Sequence, residues 1–366
     1  MISATHSHTG PVLRGRGARE KDFGGENPLA IAYAEDLPGK IAQAVDEANS
    51  QLQPASASVA HGQEASIAFN RRFHMTDGTV GWNPGKLNPK ILKPAGGIDT
   101  DVPIVAFSTP EKKPFAAYTN YAVHLDNIGG LRISADMPGV VAARLSEVFG
   151  PEFVALWSAG CCGDINHINV KSALPQGGFG NASRMGTILA AEILRKWPGL
   201  EPFQPNTLKV RSEIVPLAAA PHDEADLVIA RDVIARRQDK NAKQPTFLEQ
   251  VKAYRVLDNA ARDGKPWPVE VQVISLGRDV AWVSLPGEIF VELGLAIKQD
   301  SPFPHTIVAE LANGAIGYIP SRRAYPQGNY EVVSARCDEG SGEKIVASAL
   351  RMLQESYAES APSEVK

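Results

Sequence analysis

Stretches with the two-residue period of a strand and stretches with the helical period follow one another along most of this chain, and no segment repeats another. That interleaving favours one α/β domain, with a mixed sheet and flanking helices, over separate all-α and all-β parts. The chain is long enough for the core such a domain needs: 366 residues, 43% of them hydrophobic and 21% charged.

The spacing of Leu37, Ile41, Val45, Ala48 and Leu52 predicts an amphipathic helix with a start or interruption at Pro38. "EASIAFNRRF", "VPIVAFST", "PFAAYTNYAVH", "EFVALWSAG" and "HTIVAEL" read as strands, as does the opening "MISATHSH". "VEVQVISLGRDVAWVSLPGE" reads as a hairpin turning at "GRD". Helices are expected over "PGVVAARLSEVFG", Ala182 to Trp197, "IFVELGLAIKQ" and "GSGEKIVASALRMLQESY". Asp223 to Asp263 reads as helical and charged, interrupted by "KNAKQP". Glycine, proline and asparagine crowd residues 76–101, which predicts a long ordered loop.

A formal net charge of -4 without a long basic block gives no nucleic-acid footprint and no electrostatic reason to meet an anionic membrane. No apolar run approaches the ~20 residues needed to span a bilayer. Cys161, Cys162 and Cys337 form neither a disulfide framework nor a zinc-finger spacing, although one bridge stays open.

The chemistry starts at "ISATHSHTGP". On a strand, His6 and His8 share a face at ~6.6 to 6.8 Å, close enough to serve one metal centre; the same spacing also fits a polar strand edge. His124 closes a strand, and Glu288 sits at the strand-to-helix junction "SLPGEIF", where sheet-based enzymes expose working residues. Each has a plain alternative, a hydrogen-bonded histidine or an acid interacting with the helix dipole. Together they make a nitrogen and oxygen zinc shell with one position left open.

Several blocks, in order from Ser3 to Ser334, resemble the neutral ceramidase family. "SATHSHTGP" is similar to that family's T-H-T-H-x-G-P, "FNRR" to I-N-R-S, and "YAVHLDNIGG…ISADMPG" to F-A-V-H followed by I-S-x-D. "GDINHIN" resembles G-D-V-S-P-N, "LPGEIF" resembles P-G-E-F-T, and "YIPSRRAYPQGNYEVVS" resembles Y-I-T-T…E-E-Y…Y-E-x-x-S. The resemblance implies Zn2+ held by His6, His124, Glu288 and Tyr318, hydrolysis of an amide, and a small-molecule or lipid-like substrate. It implies His8 as the proton-transfer group, Arg71 and Tyr330 near the substrate carbonyl, and Asp164 orienting ligands or capping its turn. Tyr318 as a ligand requires the metal to stabilise a phenolate.

The departures set further expectations. Gly160 and Cys161 stand where the family has Ser-Asn, and "HIN" replaces S-P-N. The substrate is therefore expected to differ from ceramide in both acyl and amine parts. Residues 1–358 are read as the hydrolase domain, without the strands that precede the H-x-H block in the family, and 359–366 as a polar tail. A secreted or periplasmic location is expected if a leader lies upstream, and a cytoplasmic one otherwise. Two other readings stay open: an amidohydrolase barrel acting on a cyclic amide or ester, and a non-catalytic binding protein.

Overall fold

A computed structural model describes residues 1–13, 19 and 24–360. After α1 (Pro28–Ser50) and β1 (Ser56–Gln63) come four short strands, β2 (Phe69–Asn70), β3 (Arg72–Met75), β4 (Val80–Trp82) and β5 (Ile91–Pro94). β6 (Asp101–Ser108) and β7 (Pro114–Tyr121) lead to α2 (Asp136–Phe149), β8 (Val154–Ala159), β9 (Ile165–Asn166) and α3 (Gly178–Lys196). β10 (Glu201–Phe203) and β11 (Leu208–Leu217) precede the helical pair α4 (Glu224–Gln238) and α5 (Phe247–Ala260). The chain continues through β12 (Trp267–Leu276), β13 (Val280–Ser284), β14 (Glu288–Ile289), α6 (Val291–Asp300), β15 (His305–Ala309) and β16 (Tyr318–Ile319). It closes with α7 (Tyr330–Ser334) and α8 (Ser341–Glu359).

Two sheets carry the architecture, one ordered β10-β1-β6-β7-β8 and the other β11-β12-β13-β15. Each is mixed, because β7–β8 and β13–β15 are parallel while the remaining pairs are antiparallel. Alternation along single strands shows the layering. On β6, Val102 and Ile104 face the core shared with Met137 and Val141 of α2 and Leu189 and Ile193 of α3, whereas Val105 faces Val280 and Ile307 of the other sheet. On β13, Ala281 and Val283 turn towards Ile297 of α6 and Ile345 and Leu353 of α8. The order is therefore helices, sheet, sheet, helices. Burying a sheet on both faces explains why these strands are apolar on nearly every residue.

This confirms the α/β class and mixed sheet, and it is not a barrel of eight βα units. Several local expectations change. Residues 76–101 hold β4 and β5, which pair with β3 into a small sheet. β1 lies in a segment for which no strand was expected, and α1 runs through Pro38 instead of starting or breaking there. The opening residues are not a strand: they make only isolated bridges, Ser3 to Ala312 and Ser7 to Leu125, and His6 has φ 69. A left-handed residue breaks the alternation a strand requires. The three cysteines are buried free thiols. The expected tail lies outside the described residues from 361 onward. No helix among the described residues is long and apolar enough to cross a membrane.

Candidate metal centre

Parallel pairing brings the ends of β7, β8, β13 and β15 together, because Gly160 N–H donates to Tyr121 O and Leu285 N–H to Ala309 O. Glu310 N–H donates to Ala159 O, joining the two sheets at this edge. His124, the Cys161–Asp164 turn, Glu288 and Glu310 all follow these strand ends. The opening segment is tied onto the same edge by Ala4 N–H to Leu311 O, His8 N–H to Leu125 O and the Ser7 hydroxyl to Ser134 O. β14 pairs in parallel with β16, so Glu288 stands directly beside Tyr318.

His6 Nε2 lies 3.6 Å and His124 Nε2 3.4 Å from Glu288 Oε2. That oxygen is buried and has no hydrogen-bond partner among the described residues. Two ligand atoms of one tetrahedral zinc, each ~2.0–2.2 Å from the ion, lie roughly 3.3–3.6 Å apart, so the set has the spacing of a zinc shell. The fully buried His124 places Nδ1 2.9 Å from Ile165 O, which as an N–H donor leaves the Nε2 lone pair facing Glu288. Burial, then Arg71 and His6, depress the His124 pKa to about 3, so this ring stays neutral. Burial alone would raise the Glu288 carboxyl, but His124 and His6 outweigh it and hold it well below the usual carboxylate range. One atom each of His6, His124 and Cys162 also fall within 4.8 Å of one another. The Cys162 thiol, however, is already 2.9 Å from Glu310 Oε1, whereas Glu288 Oε2 has no partner among the described residues, so Glu288 fits the shell better.

Tyr318 is buried, and its hydroxyl meets both Arg71 and Glu288. Burial and then Glu288 raise it well above an ordinary phenol. As it stands the group is neutral, so only a bound cation would draw out the phenolate. Arg71 is engaged by the protein itself: Nε donates to Glu331 Oε1 at 2.9 Å, Nη2 to Gly163 O at 2.8 Å, and Nη1 lies 3.2 Å from His124 Nε2. Arg72 takes the other oxygen of Glu331 at 2.7 Å, and all three groups are buried.

His8 stands at the exposed rim, its ring centroid 5.2 Å from that of His6 and 5.8 Å from that of His124. Partial desolvation and then His6 lower its pKa. Tyr330 packs against Tyr318 at 5.2 Å and against Trp82 at 4.5 Å. Asp164 does not face the histidines. It accepts Val291 N–H at the start of α6 and the Asn70 amide, and burial raises its pKa to about 6. Its side chain anchors the start of α6 and Asn70, not its own turn.

Sequence reasoning missed Glu310. Fully buried, it accepts Ile289 N–H at 2.8 Å and Cys162 N–H at 3.0 Å on Oε2, while Oε1 lies 3.7 Å from His6 Nδ1. The available signal was a carboxylate closing the apolar run "TIVA". Two departures from the family blocks also acquire reasons. A Cβ at Gly160 would meet Asn120 Oδ1 at 2.9 Å and Ala122 N at 3.1 Å, leaving no room for a serine. His167 of "HIN" is locked between Asp126 Oδ1 and Gln176 O, both at 2.6 Å.

No family model matches the chain, and no curated protein matches it by sequence. Solved structures do match. The crystal structure of neutral ceramidase from Pseudomonas aeruginosa aligns with 98% of this chain and 60% of that one, at 18% identity and a TM-score of 0.68. A ceramidase complexed with C2 aligns with 100% of this chain and 62% of that one, at 16% identity and a TM-score of 0.67. The chain spans about three fifths of the length of these structures. It has the neutral ceramidase-like fold.

Proposed function

We propose that this protein is a zinc-dependent hydrolase that cleaves a carbon–nitrogen amide bond other than a peptide bond. The observation that carries the reading is the convergence of His6 Nε2 and His124 Nε2 on the unpartnered Glu288 Oε2. The likeness to solved ceramidases supports it. His6, His124, Glu288 and Tyr318 would hold the ion. When bound, zinc supplies Lewis acidity towards a carbonyl and a water nucleophile near neutral pH.

The chain's own groups divide the remaining work. His124 is held by Ile165 O so that Nε2 is presented, and His124 and His6 keep Glu288 ionised. His8, exposed and neutral at pH 7, takes the proton of the attacking water and delivers it to the departing nitrogen, which cannot leave as an anion. The Tyr330 hydroxyl donates to the carbonyl oxygen as charge develops there. Asp164 and Glu331 hold the frame by fixing α6 and Arg71.

The altered Gly160–Cys161 and His167–Asn169 segments border the centre, and a substrate differing from ceramide in acyl and amine parts follows from them. Pocket contacts worth ~1–3 kcal/mol per methylene are enough to redirect specificity without touching the chemistry. The test is elemental analysis of the purified protein together with turnover of a long-chain ceramide, short N-acyl amino acids, simple amides, lactams and esters. One zinc per chain with amide turnover is expected. Absence of stoichiometric zinc, or inactivity on every compound, overturns the reading; preference for ceramide overturns its substrate part.

A further inference from the structure

Outward from Tyr318 and Tyr330 runs a connected wall of rings, whose outer members Trp82 and Phe247 take no part in the hydrolytic chemistry. Tyr330 meets Tyr318 edge-on at 5.2 Å, and its ring then packs against Trp82 of β4 at 4.5 Å and Phe247 of α5 at 5.0 Å. Trp82 and Phe247 lie 5.7 Å apart with their planes only 14° from parallel. That spacing leaves no room for a third ring between them: the two rings stack on each other with an offset, and the free surface of the stack is the exposed side of Phe247.

The wall is held in place. The Asn329 side chain donates to Val80 O at 2.9 Å and accepts Tyr330 N–H at 2.8 Å, fixing α7 to β4. A capping box between Thr246 and Glu249 sets the first turn of α5, where Phe247 sits. Two features show that the surface is unfinished. Phe247 leaves 51% of its area exposed, and the Trp82 indole N–H is buried with no hydrogen-bond partner among the described residues. A buried donor without a partner at a binding surface is commonly satisfied by a ligand acceptor.

We propose that Trp82, Phe247 and Tyr330 form a specificity subsite for a planar aryl group carried by the substrate amide. The inference rests on reading the centre as that of an amide hydrolase, since it places the aryl group beside the scissile bond. A flat ring laid on the exposed side of Phe247 extends the Trp82–Phe247 stack and gains offset stacking, whereas a saturated ring of the same size touches it with fewer atoms. A merely greasy groove would rank the two the other way, because the saturated ring has more apolar area to bury.

The experiment measures dissociation constants of N-benzylacetamide and N-(cyclohexylmethyl)acetamide by ligand-observed NMR on the full chain, in parallel with turnover of both. The benzyl compound should bind about 3- to 10-fold tighter. Phe247→Ala, at an exposed position, and Trp82→Ala should each reduce the preference to below about 2-fold, while Trp82→Phe, which keeps a ring, retains most of it. Equal or tighter binding of the cyclohexyl compound, no binding of either, or an undiminished preference in Phe247→Ala overturns the subsite. Benzyl preference without hydrolysis of any amide supports the subsite and removes the hydrolase reading, so the two ideas fail separately.

Discussion

Replacing Glu310 by Gln isolates what a carboxylate does behind the metal centre. The amide has the same shape, and its oxygen can take the place of Oε2, where Ile289 N–H and Cys162 N–H donate at 2.8 and 3.0 Å. Both backbone donors stay satisfied, so the cost in global stability should be about 1 kcal/mol. The change falls on the other side. Oε1, which faces His6 Nδ1 across 3.7 Å without a hydrogen bond, becomes an NH2 group, so the negative charge that favours a proton on Nδ1 is gone. His6 then favours its proton on Nε2, the nitrogen that faces Glu288. Losing such a partner behind a ligating histidine typically lowers metal affinity 10- to 100-fold, or about 1.4 to 2.7 kcal/mol. The assay is zinc competition against a chromogenic chelator, with urea denaturation of the same samples. An unchanged zinc affinity in a folded Glu310→Gln protein would refute the reasoning.

His124→Ala should lose most of the bound zinc, whereas His8→Ala should keep it and lose at least ~100-fold in turnover; equal metal loss in both would end the division of roles. Glu331→Ala strands two buried guanidinium groups and should cost about 3 to 5 kcal/mol in urea unfolding, against little change if Arg71 and Arg72 find other partners. Asp164 has its folded pKa raised from 3.8 to about 6, so its contribution is fully present below pH 3.8 and is lost as pH rises through 6. Stability should therefore fall by up to about 3 kcal/mol across that window, and Asp164→Asn should flatten this part of the pH–stability curve.

The legible parts of the sequence were those whose pattern survives without partners. The β12–β13 hairpin and the apolar strands β6 and β7 announce themselves because alternation or apolar runs mark buried sheet faces. β1, "SASVAHGQ", does not, since its small residues fit between a sheet and α3 without an apolar signal; a Cβ at Gly62 would strike Glu192 at 2.8 Å. His6 and His8 were found, but for the wrong local reason. They converge through a left-handed turn and long-range bridges, not through strand alternation. His124 and Glu288 could be named from their places at strand ends, and Tyr318 only from the family blocks, because its neighbour Glu288 is 30 residues away in the chain. Glu310, Trp82 and Phe247 stayed silent for the same reason: their partners come from other segments, and no spacing rule connects them.

The Ala159–Glu310 junction also bears on how the molecule opens. His124 and the Cys161–Asp164 turn follow strands of one sheet, while Glu288 and Glu310 follow strands of the other. Without a ligand, each sheet with its own helices is a candidate cooperative unit, able to exchange amide protons with its own protection factor. A ligand that grips both sets of side chains binds only while the two sheets stay docked, so it adds RT ln(1 + [L]/Kd) to every opening that parts them, about 4 kcal/mol at a thousandfold excess over Kd. Slow-exchanging amides in β6 and β13, on opposite sides of the inter-sheet core, should then merge into a single protection class on loading, and separate again when the ion is chelated.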